Sequence, residues 1–214
     1  SKIFSMTGEK RMSYLTKSIK YIFENKIDGD FVECGVWQGG NLILMQRLID
    51  FYKENRNIYG YDTFEGMTQP NEFDTDINNN TASNLMTIEK KLENNDAQNI
   101  WCYSGIDTVQ NNFNKYTKNN YLKLIKGDVG ETLKKSENLP KNISLLRLDT
   151  DFYESTKKEL EALYPLVVKN GIIIVDDYGH WKGQKKAVDE YLSKNNIKAF
   201  MFEIDYSCRV FVKN

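Results

Sequence analysis

Apolar positions recur along this chain at two spacings, and the alternation between them lays out a fold. From Arg11 to Asn25, Met12, Leu15, Ile19, Ile22 and Phe23 fall at helical spacing. Asp28-Gly29-Asp30 then turns the chain into Phe31-Val32-Glu33-Cys34-Gly35, a short strand ending at glycine. Leu42, Met45, Leu48 and Ile49 share one stripe of a helix predicted from about Asn41 to Lys53. Strands are predicted at 58–62, 121–125, 143–148 and 172–175, the last an unbroken β-branched run suited to a strand covered on both faces. A helix from Thr156 to Val168 carries Leu160, Leu163 and Val167 on one side and is stopped by Asn170-Gly171. Another runs from about Gln184 to Lys194, and 198–202 with 207–212 forms a terminal hairpin.

Strands alternating with helices predict an α/β protein with a single, doubly wound, mostly parallel sheet of Rossmann-like type and a C-terminal antiparallel hairpin. A length of 214 residues suits one domain, with 1–27 as an N-terminal helical segment. Residues 66–99 are rich in Asn, Asp and Thr and show little periodicity before Leu85. A connection this long is either a lid over a site or a tolerated surface insertion.

Charge narrows the partners. The chain carries 29 Lys and Arg against 30 Asp and Glu, a formal net charge of −1. That balance argues against nucleic acid, whose binders show a basic excess. No apolar run is long enough to span a membrane, and the first residues lack a secretory pattern. Cys34, Cys102 and Cys208 are far apart and unpaired in sequence, as free thiols in a reducing compartment would be. Cys34, inside an apolar strand, reads as structural. A cytoplasmic enzyme acting on a small molecule fits these features.

In such sheets ligands bind beyond the carboxyl ends of the strands. That edge gathers Glu33, Asp62, Asp128, Asp149, Asp151, Asp176 and Asp177. Glu33-Cys-Gly35-Val36-Trp37-Gln-Gly39-Gly40 joins a strand to a helix, and its glycines let backbone approach a ligand closely. Asp62, ending the next strand, is placed to accept from the ribose of a nucleoside-type cofactor. A phosphate cofactor is disfavoured, because the turn holds no Lys or Arg before Arg47 and the acids would repel it. Asp149, Asp151, Asp176 and Asp177 form a hard-oxygen set suited to magnesium, manganese or calcium. Like charges this close are costly without a cation, and a bound ion would acidify an acceptor hydroxyl touching it. Asp149 and Asp151 flank one residue, so in extended backbone both point to one face. The bland alternative is that Asp151 caps the next helix. His180, the one histidine, and Tyr178 follow the acid pair and are candidate substrate contacts, or ordinary loop and packing residues. Trp37 and Trp181 can line an acceptor pocket or simply pack. Lys185-Lys186 reads as a solvated helix face.

These stretches resemble the macrocin O-methyltransferase family of class I methyltransferases, which methylate sugar hydroxyls of antibiotics and related glycosides. The likeness is carried by 33–40, Tyr61-Asp-Thr-Phe-Glu-Gly-Met67, Gly127-Asp-Val-Gly-Glu-Thr-Leu133, Leu146-Arg-Leu-Asp-Thr-Asp-Phe-Tyr-Glu-Ser-Thr156, Leu163-Tyr-Pro165, Gly171-Ile-Ile-Ile-Val-Asp-Asp-Tyr-Gly179 and Ala187-Val-Asp-Glu-Tyr191. The resemblance implies a methyl group moved from S-adenosylmethionine to a sugar hydroxyl, with Asp149, Asp176 and Asp177 on magnesium and Asp151 as general base. It also implies that Glu33, Gly35, Val36, Trp37, Gly39, Asp62, Thr63, Phe64 and the Asp128 neighbourhood hold the cofactor. Thr7 matches a segment that covers it. Asp128 stands where an aromatic residue is commoner in the family, and the abbreviated segment before the first helix leaves a homo-oligomer open. The competing reading of the Asp149/Asp151 pair is a metal-dependent glycosyltransferase.

Overall fold

The computed structural model describes residues 4–89, 99–118 and 121–214. Helix α1 (Glu9–Glu24) leads into β1 (Asp30–Cys34), α2 (Gly40–Tyr52) and β2 (Ile58–Asp62). Then come α3 (Ala82–Ile88), α4 (Ile106–Tyr116), β3 (Leu122–Lys126), the single turn α5 (Val129–Thr132) and β4 (Ile143–Leu148). The chain closes with α6 (Tyr153–Leu163), β5 (Val167–Val175), α7 (Lys182–Lys194), β6 (Phe202–Glu203) and β7 (Arg209–Val212).

Among the described residues one seven-stranded sheet runs in the order β3-β2-β1-β4-β5-β7-β6. The first five strands are parallel, and β7 pairs antiparallel with both β5 and β6. Alternate residues on each strand feed opposite faces. Phe31, Ile58, Leu145 and Ile174 join Leu15, Ile19, Leu42, Met45, Val109 and Phe113 in one core. Val32, Tyr61, Leu146 and Ile173 join Leu160, Leu163, Val188 and Leu192 in the other. Every residue of β4 is buried, as a central strand covered on both sides requires. Strand order reverses between β1 and β4, so their carboxyl ends open the crevice in which such sheets bind ligands.

Three features depart from expectation. The predicted helix to Val168 ends at Leu163, because Pro165 cannot continue an α-helix and forces a 3₁₀ turn over Tyr164–Leu166. Asn170-Gly171 therefore lies inside β5 rather than at a helix end. Asn170 takes φ 66°, and the β4–β5 register shifts beside it. Helix α4 lies outside the predicted elements, although Ile106, Val109, Phe113 and Tyr116 recur at helical spacing; of these Val109 and Phe113 are fully buried. The first arm of the terminal hairpin shrinks to two residues. Within 66–99, Thr81 caps α3 through the Asn84 N–H, while 90–98 lies outside the described residues.

Candidate active site

The sheet's carboxyl edge and the N-terminal segment enclose a cavity lined by Met6, Thr7, Arg11, the Gly35-Val36-Trp37 turn, Asn41, Asp62, Thr63, Gly66-Met67-Thr68, Cys102, Gly127, Val129, Asp149–Asp151, Ser155, Asp176 and Asp177. Thus Thr7, Gly35, Val36, Trp37, Asp62, Thr63 and the four aspartates meet around one space. Glu33, Gly39, Phe64, Asp128, Tyr178 and His180 do not border it.

Gly35 explains how the turn and the acids come so close. Its φ is +82°, and a Cβ there would lie 2.0 Å from the Asp149 carbonyl oxygen. Asp62 holds the same turn from below. Its carboxylate accepts the N–H groups of Val36 (2.7 Å), Trp37 (3.2 Å) and Phe64 (2.8 Å). Burial raises its pKa, against the pull of those three N–H donors. Phe64 packs into the core behind. Asp128 instead caps α5 through the Gly130 N–H at 2.7 Å, leaving Gly127 and Val129 to form the cavity wall.

Beneath the cavity lies an ion-pair ladder. Arg147 of β4 is 1 % exposed. One of its terminal nitrogens donates to Glu33 (2.8 Å) and Asp149 (2.6 Å), the other to Asp176 (2.6 Å) and the Thr7 hydroxyl (3.2 Å). Arg11 of α1 donates to the second oxygen of Asp176 (2.5 Å) and to Asp205 (2.7 Å), and comes within 3.7 Å of Asp177. Burial pushes the Glu33 pKa up to about 7, against the opposing pull of Arg147 and Asn41. Its Oε2 has no hydrogen-bond partner among the described residues.

Asp149, Asp151 and Asp177 each offer an oxygen, and these atoms lie within 4.8 Å of one another. Asp176 instead spends both oxygens on the two arginines. Burial, then in part neighbouring carboxylates, holds the pKa of Asp149 and Asp151 well above the usual range. Carboxylates buried this close together repel one another and are costly without a compensating charge. Asp151 does not cap α6, whose N-cap is Phe152 with no side-chain cap. Nor is the 149–151 stretch extended: Asp151 sits at φ 65°, a strained conformation of the kind that clusters at functional sites. The two acids converge through a turn rather than by strand alternation.

Other sequence candidates sit outside the cavity. The Tyr178 hydroxyl donates to Asp189 (2.6 Å) on α7, and the His180 ring contacts Tyr206 and Trp181 edge-on. Lys185 and Lys186 pair with Asp189 and Glu190 on the exposed face of α7. Cys34 is fully buried. Sequence reasoning gave no role to Arg11, Asn41, Cys102 or Arg147, although an arginine within Ile-Ser-Leu-Leu-Arg-Leu was itself a sign of buried acids nearby. No described helix is long and apolar enough to cross a membrane.

Comparison with known proteins identifies the family and supports the fold. The demethyldecarbamoylnovobiocin O-methyltransferase of Streptomyces niveus is 30 % identical over 203 residues, covering 94 % of this chain and 72 % of its own. An 8-demethyl-8-(2,3-dimethoxy-α-L-rhamnosyl)-tetracenomycin-C 4′-O-methyltransferase from Streptomyces olivaceus is 26 % identical with the same coverage. Among solved structures the O-methyltransferase NovP superposes with a TM-score of 0.84 at 28 % identity, over 99 % of this chain and 82 % of its own. The calicheamicin methyltransferase CalS11, at 20 % identity and TM-score 0.68, shares the fold. None of these relatives is a glycosyltransferase, so that reading finds no support. The Macrocin-O-methyltransferase (TylF) family profile matches residues 1–213, and the chain belongs to that family of O-methyltransferases.

Proposed function

We propose that this enzyme moves a methyl group from S-adenosylmethionine to a hydroxyl of a sugar or sugar-containing small molecule and depends on a divalent cation, magnesium in the first instance. The observation that carries the reading is the convergence of Asp149, Asp151 and Asp177 within 4.8 Å beside the Gly35–Trp37 turn. The donor set suits a hard cation, and a wall of acids with apolar Val36, Trp37 and Val129 suits a cationic nucleoside better than a phosphate. The relatives' names support a sugar acceptor, since one of them methylates a rhamnosyl group.

When bound, the cation acidifies an acceptor hydroxyl and S-adenosylmethionine offers a sulfonium methyl group. The rest falls to the chain. Asp149, Asp176 and Asp177 are read as the cation's ligands, with proximity favouring Asp149 and Asp177. Asp176 would join them only by loosening its grip on Arg11. Asp151 accepts the hydroxyl proton, its carboxylate held at a strained turn and its basicity raised by burial and by Asp177. The turn 35–37, Asp62-Thr63 and Thr7 hold the cofactor, and their fixed backbone supplies the alignment that carries much of the rate. Tyr178 and His180 follow the acid pair but do not border the cavity, and the Tyr178 hydroxyl is engaged by Asp189, so neither is assigned a contact with the acceptor.

Two measurements test this. Calorimetry with S-adenosylhomocysteine should show binding in the wild type and in Asp151→Asn alike. Methyl transfer to a panel of free sugars, nucleotide-activated sugars and glycosides should require magnesium and fall at least ~100-fold in Asp151→Asn, the usual worth of a general base. Near-normal turnover in that variant removes Asp151 from the mechanism, and transfer unaffected by EDTA removes the cation.

A further inference from the structure

The two acid-bearing links precede two helices that have no caps of their own. Asp149–Phe152 leads into α6 and Asp176–Trp181 into α7, and neither N-cap residue, Phe152 or Trp181, makes a side-chain cap. A buried helix start with unpaired N–H groups needs a partner from elsewhere. Here one segment, 71–82, serves both.

Asp74 of that segment is 1 % exposed, and its Oδ1 accepts the N–H of Tyr153, the first residue of α6, at 2.7 Å. Its Oδ2 accepts the N–H of Asn71 at 2.7 Å, and its carbonyl accepts from Ala82 at 2.8 Å. The next carbonyl, that of Thr75, accepts the N–H of Lys182, the first residue of α7, at 2.9 Å. Gly183 makes room for this arrangement, since a Cβ there would stand 2.0 Å from Asp74 Oδ1. A carboxylate between two helix starts is also favoured by both dipoles. Above it Ala82 and Met86 of α3 cover Phe152 and Trp181, whose rings meet edge-on at 5.6 Å.

We propose that Asp74 is a positioning residue that locks α6 to α7 and so fixes the distance between the Asp149–Asp151 and Asp176–Asp177 links. It touches neither cofactor nor acceptor, and it acts by holding the carboxylates at the spacing a cation requires. The proposal rests on the cation-dependent reading of the site. It makes 71–89 a fixed clamp, whatever else the longer connection does.

The test is Mn²⁺ affinity, measured by titration and paramagnetic resonance on the intact protein, alongside S-adenosylhomocysteine affinity and steady-state kinetics. Asp74→Ala and Gly183→Ala should each weaken Mn²⁺ binding at least tenfold and lower kcat with little change in cofactor affinity. Asp74→Asn keeps an acceptor oxygen for Tyr153 and should recover part of the loss, and it serves alone if the other two do not fold. Folded variants with wild-type Mn²⁺ affinity and kcat overturn the role of Asp74 while leaving the cation reading intact. Wild-type protein that binds S-adenosylhomocysteine but no Mn²⁺ overturns both.

Discussion

Glu159 lies fully buried on α6, and one of its carboxylate oxygens accepts the Thr150 hydroxyl at 2.9 Å. Burial lifts its pKa to about 8, so the acid is largely neutral at pH 7 and supports the Asp149–Asp151 link as a neutral group. Because the folded value is raised, the stability it contributes is complete below its ordinary value of 4.5 and is lost as pH rises through about 8. Glu159→Gln cannot ionise. It should therefore match the wild type in urea unfolding at pH 4.5 and exceed it by roughly 4–5 kcal/mol at pH 9, about 1.4 kcal/mol for each pH unit between 4.5 and about 8. Equal stabilities across that range contradict a raised pKa. At this scale the sequence was half legible. The aspartates announced themselves by crowding at strand ends, whereas Glu159, Asp74 and Arg147 looked like ordinary helix, loop and strand residues. Their meaning lies in partners up to 140 positions away, which no local pattern encodes.

The elements were far easier to read. Strands β2 and β4 fall where their apolar runs begin and end and β1 lies within one residue of expectation, because burial on both faces leaves no ambiguity of period, while the half-exposed edge strand β3 also lies within one residue. Helix α4 was hidden by its composition, Ile-Asp-Thr-Val-Gln-Asn-Asn-Phe-Asn-Lys-Tyr, rich in weak helix formers and with a stripe of two fully buried residues. The long 66–99 connection read as loop because the order of its described residues around Asp74 and Thr75 comes from contacts to α6 and α7 rather than from its own periodicity. The β1–α2 turn is where element geometry and chemistry meet. Gly35→Ala places a Cβ 2.0 Å from a backbone oxygen, a clash that no rotamer change relieves, in a conformation already costly for any side chain. The ends of β1 and β4 must then separate. The variant should lose about 3 kcal/mol of stability and bind both S-adenosylhomocysteine and Mn²⁺ at least tenfold more weakly. Wild-type affinity for either ligand contradicts the close approach as a determinant of the site.

Across the whole molecule one charge network joins parts of the chain that share no sequence proximity. Thr7 and Arg11 at the N-terminal end, Glu33 on β1, Arg147 and Asp149 on and after β4, Asp176 after β5 and Asp205 in the final hairpin are connected by hydrogen bonds of 2.5–3.2 Å. Arg147 is its centre, and the carboxylates of Asp149, Asp176 and Glu33 outweigh the burial that opposes its charge. Removing one partner of a buried ion pair is far more damaging than never having built it, because the opposite charge is left stranded. Arg147→Met keeps much of the side chain's bulk but strands three carboxylates. The expected cost is about 3–5 kcal/mol, a large part of the roughly 5–15 kcal/mol typical of a whole domain. Thermal unfolding should fall by roughly 10 °C at pH 8. The deficit should shrink towards pH 5, where the stranded carboxyls, already raised in Glu33 and Asp149, take up protons and no longer need a cation. A deficit that stays constant from pH 8 to pH 5 would mean that Arg147 contributes packing rather than charge. A loss below about 1 kcal/mol, the level of an exposed pair, would mean that the floor of the site is held by the sheet alone.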